Sequence, residues 1–166
     1  MDELISVVGK DAARYFFIAR KANAHLNFDL ELALKKNNEN PVYYCQYAHA
    51  RICNIIKKAR SEKLFPKHFT KDMANKLTKP EELALIQKMA DLPELLILIA
   101  VHREPHRLTT YLEELASLLH HYYERYQIVN PKSPALTHSR LMLLFTVKKV
   151  MGICFELMGI SAPEKM

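Results

Sequence analysis

Between Leu108 and Tyr126 the residues Leu108, Tyr111, Leu112, Leu115, Leu118, Leu119, Tyr122 and Tyr126 fall mostly three and four positions apart. That spacing draws one apolar stripe along an α-helix, which returns to the same face every ~3.6 residues. The same rhythm runs through nearly the whole chain, and no stretch alternates strictly between apolar and polar residues as a half-buried strand would. The chain is therefore predicted to be all-α. Its consecutive helices with short connections predict an antiparallel bundle packed ridge into groove. With 166 residues, 49% hydrophobic and 25% charged, one domain with a sizeable core is expected.

Local punctuation sets the element bounds. A short helix is expected over Asp2 to Val8, another over Asp11 to Arg20, a loop through Asn23 to Phe28, and a turn or two of helix from Asp29. Asn37-Asn38-Glu39-Asn40-Pro41 is turn chemistry, with proline where a helix start has no use for its N–H, so a long helix is predicted from about Pro41 to Arg60. Thr78-Lys79-Pro80-Glu81 has the T-x-x-E form in which threonine and glutamate cap each other's backbone N–H. Asp91-Leu92-Pro93-Glu94 repeats it with aspartate, so helices are expected to end near Ala90 and Arg103. Pro105 breaks the second of these and opens the helix described above. The last long helix is predicted over Leu136 to Met158 and stopped by Gly159, leaving a non-helical tail. Helix lengths and spacings differ throughout, so no repeat architecture is expected.

Several chemistries have no foothold. The three glycines, Gly9, Gly152 and Gly159, build neither GxGxxG nor GxxxxGK[ST], so glycine-rich phosphate cradles are excluded. No GxSxG elbow exists, and no serine or cysteine has an evident base beside it. His102 and His106 have the i, i+4 spacing of helical zinc ligands, yet Pro105 between them breaks the helix that would align the rings. His120 and His121 point to different faces of a helix and read as boundary residues. No metal is expected. Cys45, Cys53 and Cys154 form no CxxC and read as buried thiols in a reducing cytoplasm. Apolar runs such as Leu95 to Val101 fall far short of the ~20 residues that span a bilayer, and the acidic start does not read as a signal peptide. A cytoplasmic monomer with no membrane partner is the expectation.

Charge and helical phase point towards RNA. Lys57, Lys58, Arg60, Lys63, Lys67, Lys71, Lys76 and Lys79 oppose only Glu62 and Asp72, so this stretch carries the chain's entire excess of +6. It is either a solvated lysine-rich loop or a patch that attracts polyanions. In the helix from Pro41, with Tyr44 at 0° and ~100° per residue, Cys45, Ala48, Ile52 and Ile56 occupy a core arc from about 40° to 120°. Tyr47 falls near about −60°, Arg51 near −20° and Lys58 near −40°, so with Tyr44 they form an adjacent arc of two phenols and two cations. Aromatic rings stack on unpaired bases and cations meet phosphates, a combination suited to RNA loops. The alternative is that the tyrosines widen the core and the cations are solvated.

The string Asn40-Pro41-Val42-Tyr43-Tyr44-Cys45-Gln46-Tyr47-Ala48-His49-Ala50-Arg51-Ile52 resembles the NPVYYVQYAHARI segment of bacterial arginyl-tRNA synthetases. The likeness continues in order. Val8-Gly9-Lys10-Asp11-Ala12-Ala13-Arg14-Tyr15-Phe16-Phe17 and Phe28-Asp29-Leu30 precede it; Glu104-Pro105-His106-Arg107-Leu108 and Tyr111-Leu112 follow. The end, Leu157-Met158-Gly159-Ile160-Ser161-Ala162-Pro163-Glu164-Lys165-Met166, is similar to that family's LLGVSAPERM terminus.

The resemblance implies a helical anticodon-binding domain of a class I aminoacyl-tRNA synthetase, of the DALR type, over residues 37–166. Residues 1–36 would be the linking segment that follows the catalytic domain. The expected partners are the anticodon stem-loop of tRNA(Arg) and the parent catalytic domain. The whole enzyme would join arginine to its tRNA with ATP and Mg. The HIGH-like and KMSKS-like elements of that chemistry have no counterpart in this sequence, so the chain alone is expected to be an inactive part of the ligase with no cofactor of its own. The family's anticodon helix bears on Tyr44, Tyr47 and Arg51, the arc the wheel isolates, and its C-terminal methionine carries onto Met166. Tyr44, Tyr47, Arg51, Lys58 and Met166 are thus the expected tRNA-binding residues, with the lysine stretch along the stem backbone.

Departures limit the carry-over. Cys45 replaces a usual valine, Cys154 stands where glycine is frequent, and Lys148 and Lys165 replace arginines, losing the planar fork for bidentate contacts. Gln46, His49, His106 and Arg107 match family motifs but suit hydrogen bonds within the domain. A helical scaffold that keeps the fold and binds protein instead remains the alternative.

Overall fold

The computed structural model describes residues 2–25 and 27–166, and among them every regular element is helical. In chain order these are α1 (Asp2–Val8), α2 (Lys10–Ile18), α3 (Leu30–Leu34), α4 (Pro41–Ser61), α5 (Lys71–Ala74), α6 (Pro80–Ala90), α7 (Leu92–His102), α8 (His106–Arg125) and α9 (Pro134–Met158). The expected loop over Asn23 to Phe28 includes Leu26, which lies outside the described residues.

Helix α4 is the axis of the bundle, and Asn40 fixes where it begins. The Asn40 side-chain oxygen accepts from the Val42 N–H at 3.2 Å, satisfying one of the donors a helix start leaves open. Its amide donates to the carbonyls of Ala33 at 3.0 Å and Lys35 at 2.9 Å, tying the end of α3 to the start of α4. Cys45, Ala48, Ile52 and Ile56 are all buried, as the helical phase requires. They pack among Leu112, Leu115 and Leu119 of α8 and Leu144, Val147 and Met151 of α9 in one continuous core. Helix α6 packs on α8, α5 lies on α9, and α2 reaches α4, α8 and α9, so Tyr15 is fully buried in the same core. The three cysteines are free and buried. Burial pushes the Cys154 thiol up to about 12, and thiols so perturbed are inert rather than nucleophilic.

The caps of α6 and α7 differ from the sequence expectation. Pro80 occupies the first turn, so Lys79, not Thr78, is the N-cap residue, and its N–H donates to Glu82 at 3.1 Å. Glu81 is freed for Arg125 at 2.5 Å and for the Tyr126 hydroxyl at 2.8 Å. Asp91 keeps helical dihedrals between α6 and α7 and makes no side-chain cap; it accepts instead from Gln87 one turn back at 2.7 Å. Arg103, at φ 56°, and Pro105 then separate α7 from α8, so His102 and His106 stand on different helices.

The lysine-rich segment keeps its lysines exposed and is pinned to the bundle by its phenylalanines. Phe65 and Phe69 seat their rings against Phe145 of α9 at 6.0 and 5.5 Å, and the short α5 follows. The signal was Phe65, Phe69, Met73 and Leu77 recurring every fourth residue through the lysines.

After Gly159 the tail folds back on the bundle. The Gln46 amide donates to Asp11 at 2.9 Å and to the Ser161 carbonyl at 3.0 Å, and the Ser161 N–H donates to Asp11 at 3.2 Å. His49 is buried with Nδ1 2.8 Å from the Pro163 carbonyl, which only accepts, so Nδ1 carries the proton. Burial of the ring lowers its pKa and keeps it neutral. Gly159 itself sits at φ 65°, where a Cβ would lie 2.5 Å from Arg14 Nη2, while Arg14 Nε donates to the Met158 carbonyl at 3.0 Å. Gly159→Ala is expected to cost about 1–2 kcal/mol, the left-handed penalty, and to lower Tm by about 2–8 °C in a thermal melt. An unchanged Tm would mean that the cap tolerates a side chain.

Candidate nucleic-acid interface

The flank of α4 next to its core face meets α8 in an open groove of about 730 Å³. Tyr44, Tyr47 and Arg51 line it from α4, together with Tyr43. His120, His121 and Glu124 line it from α8, and residues 36–39 close one end. Helical phase alone put the first three on one arc, and the fold leaves that arc uncovered. Tyr47 is 37% exposed, while Tyr44 and Arg51 are half-buried.

The rings are arranged as a platform. Tyr43 and Tyr47, one turn apart, lie parallel within 5° at a centroid distance of 6.3 Å. His120 approaches Tyr44 at 4.7 Å and lies within 13° of parallel to Tyr47 at 6.1 Å. The Arg51 guanidinium carbon sits 3.8 Å over the Tyr123 ring, a cation–π contact that braces the side chain against α8. Burial lowers the His120 pKa and the Arg51 charge lowers it further, so the ring is neutral. Its Nε2 is buried without a hydrogen-bond partner among the described residues. Burial likewise raises the Tyr44 phenol, which stays protonated. The groove therefore offers flat aromatic faces and one braced guanidinium, groups suited to stacking on an unpaired base and to meeting a phosphate or a base edge. Its volume lies within the ~300–1,000 Å³ range of ligand pockets.

Not every expected site residue is here. Lys58 lies two turns beyond Arg51, its side chain 71% exposed and 3.9 Å from Glu62. It borders a separate hollow of about 440 Å³ with Tyr123 and Glu124. Met166 is 46% exposed and does not line the groove; its neighbour Lys165 lines a cavity at the other flank of α4 with Cys53 and Lys148. His120, read from the sequence as a boundary residue, and Tyr43 and Tyr123 were missed. His49 and Gln46 hold the tail, as described above. Arg107 pairs with Glu104 at 2.5 Å, and the His106 carbonyl accepts from Thr109 at 2.7 Å.

Residues 45–166 match the model of the DALR anticodon binding domain. The chain belongs to this family. Its relatives agree along the full length of the chain. It is 45% identical over 166 residues to an arginine–tRNA ligase of Citrifermentans bemidjiense, covering all of this chain and 30% of that protein. Among solved structures it superposes on an arginyl-tRNA synthetase of Plasmodium falciparum with a TM-score of 0.80 and 25% identity, over 99% of this chain and 28% of the other. It superposes on that of Thermus thermophilus with a TM-score of 0.76 and 28% identity, over 96% and 27%. This DALR chain thus spans about 30% of the length of the curated relatives it matches. Among its described residues no group of three or more His, Cys, Asp and Glu side chains is placed to hold a metal, and no helix is long and apolar enough to cross a membrane.

Proposed function

We propose that this DALR domain is the tRNA-docking part of an arginine–tRNA ligase and that it holds the anticodon stem-loop of tRNA(Arg) on the α4–α8 groove. One observation carries the reading: Tyr44, Tyr47 and Arg51 line a single open groove with His120, in a chain that aligns over its whole length with an arginine–tRNA ligase. In this reading Tyr47, the most exposed of the three, stacks on a splayed loop base. Tyr44 and His120 form the wall behind it, and Arg51 meets a phosphate or a base edge. Lys58 and the lysines of residues 63–79 add charge along the stem backbone. Residues 1–36 link the domain to its catalytic partner. Arginylation, with ATP and Mg, belongs to that partner, and the DALR chain contributes position rather than chemistry. The domain acts as a monomer in the cytoplasm.

The test is discrimination. The chain is expected to bind a tRNA(Arg) transcript about tenfold or more tighter than a tRNA(Ala) transcript in fluorescence anisotropy. That is the ratio one lost buried hydrogen bond of ~1–3 kcal/mol supplies. The isolated anticodon stem-loop should compete. Equal affinity for both transcripts at every salt concentration would overturn the reading.

A further inference from the structure

We propose that the cavity on the α9 side of α4, lined by Lys57, Arg60, Lys148 and Lys165, is a binding site for a backbone phosphate of the RNA whose loop occupies the α4–α8 groove. It rests on the tRNA-docking reading above and adds a subsite to it. The cavity measures about 370 Å³ and is built from three separate segments: Lys57 and Arg60 project from α4, Lys148 from α9 and Lys165 from the tail. No local run of sequence creates this density of charge; the fold collects it. Against four cations stands one carboxylate, Glu164, which accepts from Lys148 Nζ at 2.8 Å. Among the described residues Lys57, Arg60 and Lys165 have no carboxylate within 4.0 Å; the Arg60 guanidinium lies 4.8 Å over the Phe65 ring, so Lys57 and Lys165 carry the charges left without a partner.

Glu164 shows what the cavity favours. Lys148 foremost, with a smaller contribution from Arg60, holds its carboxyl below the ordinary range. It is an oxyanion drawn into a cationic field from a side chain that is still 75% exposed, so a phosphate can displace it. The bond from His49 to the Pro163 carbonyl fixes the backbone just before Glu164 and Lys165 and keeps both at the cavity. The placement also suits an RNA loop. Helix α4 is ~10–12 Å across with its side chains, and Tyr47 and Lys57 are ~15 Å apart along its axis. A looped strand straddling the helix therefore lays bases on the aromatic flank and phosphate on the cationic one.

The experiment compares salt dependence with discrimination. Lys57→Ala and Lys165→Ala, both at exposed positions, are each expected to lower the slope of log K against log salt by about 0.7, the value of one single-strand phosphate contact. They should weaken tRNA(Arg) and tRNA(Ala) transcripts alike, leaving the preference intact, with Tm unchanged. Glu164→Gln is expected to tighten both, because the internal competitor loses its charge. Slopes that stay at the wild-type value in Lys57→Ala and Lys165→Ala, with the preference for tRNA(Arg) retained, would overturn the phosphate site and leave the docking reading standing. Failure of the wild-type chain to bind either RNA would overturn both.

Discussion

Arg140→Ala is expected to lower the unfolding free energy by about 3–5 kcal/mol, seen as a lower urea midpoint. Glu82 is the reason. Its side chain is 1% exposed, and Arg140, 10% exposed, donates from Nε to Oε1 at 3.0 Å. The Tyr122 hydroxyl donates to the same oxygen at 3.1 Å, and the Lys79 N–H to the other at 3.1 Å. Arg140 Nη1 also donates to the Gln127 carbonyl at 2.8 Å, so one guanidinium joins α9, α6 and the loop after α8. Truncation leaves a buried carboxylate without its cation, and it also takes the donor from the Gln127 carbonyl. The double variant Glu82→Gln, Arg140→Met removes the charge as well as the partner and should cost clearly less than Arg140→Ala alone. An Arg140→Ala midpoint within error of wild type would show that the pair is not what joins these helices.

What the sequence disclosed and what it concealed divide by range. Asn40-Pro41 marked the start of α4 because the cap and the proline act within one turn, and Gly159 marked the end of α9 for the same reason. The stripe from Leu108 to Tyr126 announced α8, since burial follows the helical period. The same period placed Tyr44, Tyr47 and Arg51 on one arc of α4, and they line one groove. It could not show what stood opposite. His120 and Tyr123 meet that arc from a helix some 70 residues later, and such a pairing leaves no periodic trace. The cap of α6 was misplaced by one residue because a carboxylate follows both candidate positions, and only the placement of Pro80 decides between Glu81 and Glu82. Lys148 and Lys165 lie far from Lys57 along the chain, and it takes α9 and the returning tail to bring them beside it. Met166 followed that tail away from the groove with which the family resemblance had grouped it.

The second large effect is on RNA. Tyr47 is exposed, its ring is held parallel to Tyr43, and its removal deletes no buried hydrogen bond, so Tyr47→Ala should leave the fold intact while stripping the outer face of the platform. Losing one stacking ring costs about 1–3 kcal/mol, roughly a 5- to 150-fold weaker complex. Tyr47→Phe keeps the stacking face and should bind nearly as wild type does. Titrating a labelled anticodon stem-loop of tRNA(Arg) with wild type, Tyr47→Ala and Tyr47→Phe, alongside a thermal melt of each, puts this to the question. The expected result is a weakening confined to Tyr47→Ala at constant Tm; equal affinity for all three proteins would remove the α4–α8 groove from RNA recognition.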